Sequence, residues 1–260
     1  MSSFLKDRGF PTLIKAITFD FWQTIYIDSQ ELNIKRDELR AFKIWKYLTE
    51  IGHNLRLVDV EQSVQIANDF GLSLWYEGLV ISIDDCISEV GKVLGIAFNG
   101  EKTRTITEIM GMATLETAPT LAPFIQTELP GLAKKYRLGI VSDTGLTSAR
   151  FLRRLLSRDK IISHFTALGF SDEMGYSKPE PTIFHLTLQQ LGVASSESVH
   201  IGDLVQTDIR GAKSAGMRTI QYANGAQKQY NNEFKTGNQN LVADAIIDNF
   251  RNIKAVIDNW

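Results

Sequence analysis

Short runs of apolar residues recur through the second half of the chain, and helix-length segments separate them. The runs lie at 138–141, 167–170, 199–201, 218–221 and 245–247. Because strands that are buried on both faces read as continuous apolar runs, these segments are typical of a parallel sheet. Segment 182–191 lies between Pro181 and Gly192, and segment 208–215 is followed by Gly216, which are usual boundaries of helices. The alternation predicts an α/β fold, a Rossmann-like parallel sheet with helices on both faces.

The first half of the chain has a different pattern after one early strand. An apolar run at 13–19 predicts that strand, and Asp20 follows it directly. From 29 to 118 the apolar positions follow a helical period instead. The first of these positions are Leu39, Phe42, Trp45 and Leu48. We therefore predict an all-helical insert, or cap, over 29–118, and a core formed by 1–28 plus 119–260. An insert at this place covers the ends of the strands.

The composition narrows the class of protein. The 260 residues are 43% hydrophobic and 22% charged, which is ordinary for a globular protein. Lys plus Arg number 28 against 30 for Asp plus Glu, and no basic block could follow a nucleic-acid backbone. We therefore expect a small-molecule substrate and no nucleic-acid partner, while no oligomeric state is indicated.

Cysteine content and apolar stretches bear on the compartment. Cys86 is the only cysteine, so the sequence predicts neither a disulfide nor a zinc site, and a reducing cytoplasm fits best. Segment 1–11 is polar, and no uncharged run approaches the roughly 18 residues of a membrane span. We expect no signal peptide and no membrane segment. Segment 224–240 is rich in Asn, Gln, Gly and Lys, which predicts a solvated loop.

Side chains that can carry out chemistry stand at or just after the predicted strand ends. They are Asp20 with Thr24, Ser142, Lys178, Asp203 and Asp208. Because the carboxyl ends of parallel strands open on one edge of a sheet, these side chains can converge although they are far apart in sequence. The sequence therefore predicts a site at this edge.

The chemistry of that site follows from its charges. Three carboxylates in one crevice repel one another unless a cation lies among them, and Lys178 with a divalent metal would provide the balance. Mg²⁺ prefers oxygen ligands, which Asp20 and Asp203 offer, with Asp208 close behind. Segment 142–145 adds the Ser142 hydroxyl and the backbone amides of Asp143 and Thr144 for phosphate oxygens. Metal-assisted phosphoryl transfer is the indicated reaction class.

At this point the chain resembles the haloacid dehalogenase (HAD) superfamily with a helical cap of the first type. The matching residues are Asp20 and Thr24, Ser142, Lys178, the run GDLVQTD at 202–208, and the run GAKSAGM at 211–217. The resemblance implies that Asp20 attacks the substrate and forms an ester or phosphate that water then hydrolyses. It also implies that Asp20, the backbone carbonyl of Trp22 and Asp203 hold Mg²⁺, with Asp208 in support.

The segment that contains Asp20 and Thr24 departs from the phosphatase pattern at Trp22. In the phosphatases that the chain resembles, an acid at this position protonates the leaving oxygen and later activates water, and an indole does neither. General acid and base catalysis is worth roughly 10² to 10⁴ in rate. We therefore expect slow hydrolysis of alkyl phosphates. We expect faster reaction of compounds with good leaving groups, such as acyl phosphates, aryl phosphates, phosphonates or organic halides.

Two alternatives stay open beside the phosphohydrolase. Similar dehalogenases carry an aromatic residue at the position of Trp22, but they work without metal and have Ser where this chain has Asp203. A buried carboxylate beside Asp20 is costly without a cation, so Asp203 favours an Mg²⁺-dependent phosphohydrolase acting through an aspartyl phosphate. A 2-haloacid dehalogenase or phosphonatase-like hydrolase is the first alternative. A weakly active protein that binds a phosphoryl ligand is the second.

Several other polar and aromatic residues have a plain interpretation. Arg36 and Arg40 lie four apart on one helix face and are interpreted as solvated, although they could reach a substrate carboxylate. Trp22 is expected either to line the pocket or to pack under the cap. Of the remaining candidates, the histidines are expected in the core or at the surface, and the aromatic residues in the core of the cap, from which one of them could line the pocket. These are His53, His164, His185 and His200, and Trp45, Trp75 and Tyr76.

Overall fold

The computed structural model describes residues 13–223 and 241–260, and a six-stranded parallel sheet forms its centre. The predicted segments 1–11 and 224–240 lie outside the described residues. The strands are β1 (Ala16–Phe19), β2 (Tyr26–Ile27), β3 (Thr120–Leu121), β4 (Arg137–Ser142), β5 (Phe165–Phe170), β6 (Ser198–Gly202), β7 (Arg218–Tyr222) and β8 (Ala245–Ile247). The sheet order is β5-β4-β1-β6-β7-β8, and every neighbouring pair is parallel. The predicted fold class and its strands are confirmed.

Helices flank this sheet and also form a separate layer above it. They are α1 (Gln30–Glu50), α2 (Leu57–Tyr76), α3 (Ile83–Leu94), α4 (Glu101–Glu116), α5 (Ile125–Ala133), α6 (Ala149–Arg158), α7 (Ser171–Met174), α8 (Pro181–Leu191), α9 (Arg210–Ser214) and α10 (Ile253–Asp258). Helix α8 begins at Pro181 and ends at Gly192, which has the left-handed conformation (φ 62°). None of the described helices has both the length and the apolar composition that a membrane span requires.

The central strand β1 shows why the strands are apolar throughout. All four of its residues are buried, because β4 and β6 pair with it and helices cover both faces of the sheet. Ile17 and Phe19 pack into one core layer, whereas Ala16 packs into the other. This alternation follows the two-residue period of a strand, and it fixes the register that brings Asp20 to the carboxyl edge.

The helices α1 to α4 are contiguous in the chain and lie between β2 and β3. These two short strands pair antiparallel, with Tyr26 opposite Leu121, so the chain enters and leaves the helical segment at one place. Its buried apolar core includes Ile44, Leu48, Val60, Val64, Ala67, Cys86, Ile87, Val90, Ile106 and Met110. The Ser29 and Ser82 hydroxyls cap the first turns of α1 and α3. The division into a core, 1–28 plus 119–260, and a cap, 29–118, stays a prediction.

The helix predicted over 208–215 begins later in the structure, at Arg210. In place of a helix over 208–215, a π-helical turn at Val205–Ile209 precedes α9. The Asp208 carboxylate turns back towards β6, and its Oδ2 accepts a hydrogen bond from the Leu204 amide at 2.9 Å. A side chain at Gly202 would overlap Asp208, so only glycine permits this close approach.

Candidate active site

Asp20 lies at the centre of the carboxyl edge of the sheet. It follows β1 directly, and its amide donates to the Ile201 carbonyl of β6 at 2.8 Å. Only 5% of Asp20 is exposed. Ser142 ends β4 and Asp203 follows β6, so three neighbouring strands deliver these side chains to one place. This is the edge at which parallel α/β sheets bind ligands.

Lys178 links two of the carboxylates. Its ammonium lies 2.5 Å from Asp20 Oδ1 and 2.6 Å from Asp208 Oδ1, and all three residues are buried. Burial alone would lower the pKa of Lys178, but the negative charges of Asp20, Asp208 and Asp143 outweigh it and raise the pKa. The lysine is therefore a fixed positive charge beside Asp20.

The carboxylates of Asp20, Asp203 and Asp208 form a tight acidic cluster. One oxygen of each lies within 4.8 Å of the others. Burial, followed by repulsion from Asp208, raises the pKa of Asp20 to about 7 against the opposing effect of Lys178. Burial and the charges of Asp208 and Asp20 likewise raise the pKa of Asp203 well above its usual value. One lysine therefore does not balance this cluster, and a bound cation would stabilise it.

Asp208 is held by the protein on both of its oxygens. Oδ1 accepts from Lys178 and lies 3.3 Å from His200 Nε2, while Oδ2 accepts from the Leu204 amide. Burial would raise the pKa of Asp208, but Lys178 and then His200 outweigh it and lower the pKa. These bonds fix Asp208 as the partner that orients Lys178.

His200 is a site residue that has no signal in the sequence. It is fully buried in β6, and burial lowers its pKa, so the ring is neutral at neutral pH. Because a carboxylate accepts only, Nε2 carries the proton towards Asp208, and Nδ1 accepts from Thr18 Oγ1 at 2.9 Å. The expectation of a core role is confirmed, but spacing along the chain did not indicate the contact with Asp208.

The segment after β4 is fixed largely through Asp143. Its Oδ1 accepts from Ser177 Oγ at 2.8 Å and from the Lys178 amide at 3.0 Å, and its Oδ2 accepts from Trp75 Nε1 at 2.9 Å. Asp143 thereby joins this segment to the Lys178 segment and to helix α2. The Ser142 hydroxyl donates to the Asp143 carbonyl at 3.1 Å.

Thr144 and Thr24 are predicted site residues that form no hydrogen bond with Lys178 or the acidic cluster among the described residues. The Thr144 amide donates to Ser171 Oγ at 3.1 Å, so its hydrogen atom is already used within the protein. Thr144 nevertheless forms part of the cavity wall. Thr24 is fully buried, and within residues 13–223 and 241–260 its hydroxyl has no hydrogen-bond partner.

A cavity of about 240 Å³ lies between the acidic cluster and the helical segment. The core contributes Asp20, Asp143, Lys178, Asp203 and Asp208 to its wall. The helical segment contributes Asn33, Arg36, Arg40, Asn68, Leu72, Trp75 and Ile81, and the connection to it contributes Trp22 and Asp28. The volume suits a small metabolite. Trp22 therefore lines the pocket, and so does Trp75, whereas Trp45 packs in the helical core and donates to the Leu55 carbonyl.

The interpretation of Arg36 and Arg40 as a solvated face is wrong. Only 4% of Arg36 and 5% of Arg40 are exposed, because this face of α1 packs towards α4. Arg36 forms a bidentate ion pair with Asp28, and Arg40 pairs with Asp37 at 2.9 Å. These nearby carboxylates, together with hydrogen bonds to Thr114, Thr117 and Thr147 that form only in the folded chain, make the burial of the two guanidinium groups possible. His53, His164 and His185 do not line the cavity.

Comparisons with known proteins agree with this arrangement. The family model of the HAD-hydrolase-like proteins matches residues 175–249. A glyceraldehyde 3-phosphate phosphatase of Methanocaldococcus jannaschii is 28% identical over 251 residues, which cover 93% of this chain and 99% of that protein.

Two solved structures share the fold. A 2-haloacid dehalogenase from Pseudomonas syringae has a TM-score of 0.68 at 22% identity, over 95% of this chain and 100% of that one. A HAD phosphatase from Thermococcus onnurineus has a TM-score of 0.62 at 22% identity, over 94% and 98%. The chain is therefore similar to the HAD-like hydrolases in the family model that it matches, in the relative that spans it and in its fold, which places the acidic cluster at the carboxyl edge of the sheet.

Proposed function

We propose that this protein is an Mg²⁺-dependent phosphohydrolase of a small phosphorylated metabolite, with Asp20 as the nucleophile. The observation that carries the proposal is the buried cluster of Asp20, Asp203 and Asp208 around Lys178. A relative that spans nearly the whole chain is named a phosphatase of glyceraldehyde 3-phosphate, which supports a phosphate ester as the substrate class.

The donor atoms of the cluster fit magnesium. All three side chains offer carboxylate oxygens, and no sulfur or imidazole nitrogen belongs to the group. We propose that Asp20, Asp203 and the Trp22 backbone carbonyl hold the ion and that Asp208 supports them. The ion would neutralise charge on the oxygens of the transferring phosphoryl group.

The chain's own residues account for the covalent steps. A carboxylate oxygen of Asp20 attacks phosphorus, the bond from phosphorus to the leaving oxygen breaks, and an aspartyl phosphate forms. Water then attacks the same phosphorus, so the Asp20 carboxylate is regenerated and inorganic phosphate leaves. Lys178 holds Asp20 in place and balances its charge. Ser142 would bind a phosphoryl oxygen by turning its hydroxyl away from the Asp143 carbonyl. Thr24 is buried in the turn after Asp20, and we propose that it takes part in this site.

The leaving oxygen needs a proton, and Trp22 does not supply one. The indole lines the cavity at the place where the acid of similar phosphatases is expected. Compounds whose leaving oxygen is stable as an anion, such as acyl and aryl phosphates, depend least on that proton. We therefore propose that the enzyme favours such substrates.

Hydrolysis of p-nitrophenyl phosphate and acetyl phosphate tests the proposal. We expect turnover that needs Mg²⁺, stops with a chelator, and disappears in Asp20→Asn. Asp69→Asn makes the same chemical change on an exposed helix face and should keep full activity. If neither substrate is hydrolysed while both bind with Mg²⁺, the protein is a phosphoryl-ligand binder instead.

A metal-independent 2-haloacid dehalogenase is the second candidate. The position of Trp22 in the cavity wall and the fold shared with a 2-haloacid dehalogenase favour it. The buried Asp203 argues against it, because displacement of a halide gains nothing from a further negative charge. Halide release from a 2-haloacid in the presence of a chelator would establish this activity in place of the first.

A further inference from the structure

The charges on the wall of the cavity restrict the substrate. Three of the described lining residues are cations, namely Arg36, Arg40 and Lys178. Each of them already forms an ion pair with a carboxylate of the protein. Lys178 belongs to the acidic cluster, so the two arginines are the cations that could meet the rest of the substrate.

Arg36 has no donor left for a ligand. Its Nη1 and Nη2 form the bidentate ion pair with Asp28, at 2.6 and 3.1 Å. Nη1 also donates to Asn33 Oδ1, and Nε and Nη2 donate to the hydroxyl and carbonyl of Thr117. All five N–H groups of a guanidinium are thereby used. Arg36 acts as a structural link between the start of α1 and the end of α4.

Arg40 is balanced in charge but keeps one donor. Asp37, one turn earlier on α1, lies 2.9 Å from Nη1, while Nη2 donates to Thr114 and Thr147 at 3.1 Å each. Nε donates to the Met110 carbonyl at 3.3 Å. These bonds use four of the five N–H groups, and the second hydrogen of Nη1 has no partner among the described residues. Arg40 therefore offers a hydrogen bond without an uncompensated positive charge.

Apart from Arg36 and Arg40, the described lining groups outside the acidic cluster and Lys178 are neutral or negative. Asn68, Leu72, Trp22 and Trp75 supply amide, aliphatic and aromatic surface. Asp143 adds a negative charge at the junction with the core. A carboxylate or second phosphate entering this space would lose its water and meet no unpaired cation among the described lining residues, and nearby carboxylates would repel it.

We infer that the part of the substrate that leaves with the bridging oxygen is uncharged and polar, so that the substrate is a phosphate monoester or acyl phosphate of a neutral small molecule. This inference rests on the proposed phosphohydrolase function. Arg40 donates to an oxygen of the leaving group, and Trp22 and Trp75 contact its carbon skeleton. The same charges disfavour phosphorylated carboxylic acids and 2-haloacids.

Two nearly isosteric aryl phosphates test this preference. The probes are 4-carbamoylphenyl phosphate and 4-carboxyphenyl phosphate, which differ by one charge at the far end and leave as phenolates. With Mg²⁺, we expect the wild-type enzyme to have at least roughly tenfold higher kcat/KM for the carbamoyl ester. A wild-type enzyme that hydrolyses the carboxy ester equally well or better would overturn the inference.

A matched pair of variants connects the preference to Arg40. Asp37→Asn frees the Arg40 charge and should shift the ratio of kcat/KM towards the carboxy ester by roughly tenfold. Glu38→Gln removes the same charge from the exposed face of α1 and should leave the ratio unchanged. Comparing variants cancels the different leaving-group pKa values of the two esters. Equal ratios in both variants would contradict the role of Arg40.

The test separates this inference from the proposed function. If the wild-type protein hydrolyses neither ester with Mg²⁺, and neither p-nitrophenyl phosphate nor acetyl phosphate, the phosphohydrolase proposal fails. Calorimetric titration of both esters onto that inactive protein then still measures the charge preference. Tighter binding of the carbamoyl ester would support the inference, and equal or tighter binding of the carboxy ester would overturn it.

Discussion

Trp22 is the residue that most strongly shapes the chemistry of this site. It lines the cavity two positions after Asp20, and its ring packs edge to face on Phe21 at 5.0 Å. The proposed metal ligand at this position is the backbone carbonyl, which does not depend on the side chain. In the proposed mechanism, position 22 therefore keeps the main-chain metal ligand and lacks the side chain that would transfer a proton.

Replacing Trp22 tests the effect of that missing side chain. We expect Trp22→Asp to raise kcat for an alkyl phosphate such as glycerol 3-phosphate by about tenfold to a hundredfold, since a carboxylic acid can protonate the leaving alkoxide. Steady-state phosphate release measures the effect. Trp22→Phe removes the indole without adding an acid and should not raise the rate. A rate on the alkyl phosphate that is the same in Trp22→Asp as in wild type would show that leaving-group protonation does not limit turnover.

At the scale of elements, the strands could be predicted and the contacts between elements could not. Continuous apolar runs predicted the five strands β4 to β8, because helices cover both faces of this sheet. The strands β2 and β3 have two residues each, too few for a periodic pattern. The π-helical turn before α9 depends on hydrogen bonds of Asp208, and the burial of Arg40 depends on Thr147, 107 positions away. Such contacts exist only in the folded chain.

Cys86 reports on the packing of α2 against α3. Its sulfur lies close to Gly71, and burial raises the pKa of its thiol to about 12. At pH 8 the buried side chain is therefore a protonated thiol, which alkylates slowly. We expect iodoacetamide to modify Cys86 only as the helical segment unfolds in guanidinium chloride, as followed by mass spectrometry. Rapid alkylation in native buffer would contradict this packing.

At the scale of the whole molecule, the helical segment is held over the sheet at several separate points. The pair β2 and β3 joins it to the core, and the Trp75 and Arg40 side chains reach across to Asp143 and Thr147. Helix α4 also packs against α6, where Gly111 lies against the ring of Phe151. The cavity exists because these contacts fix one layer above the other.

Gly111→Ala should disturb this interface. A methyl group at Gly111 would overlap the Phe151 ring, so α4 or the ring must move, and we expect a loss of about 1–3 kcal/mol in the free energy of unfolding. KM should also rise, because α4 carries part of the support for Arg40. Guanidinium titration and steady-state kinetics measure both effects.

Gly131→Ala is the matched control for that change. Gly131 lies within α5, is exposed, and has open space around the position of a Cβ atom. Alanine there should be neutral or stabilising by about 0.5–1 kcal/mol, since glycine costs more conformational entropy in a helix. Equal stabilities of the two variants would show that Gly111 is not a close-packed contact.

Chemical trapping of a phosphorylated Asp20 is the most direct measurement of the central claim. The protein is mixed with acetyl phosphate and Mg²⁺, quenched in acid within the first turnovers, reduced with borohydride, and mapped by mass spectrometry. Reduction converts an aspartyl phosphate into homoserine, so we predict homoserine at position 20 and none in Asp20→Asn. Sustained Mg²⁺-dependent turnover of acetyl phosphate with no homoserine at position 20 would contradict Asp20 as the nucleophile.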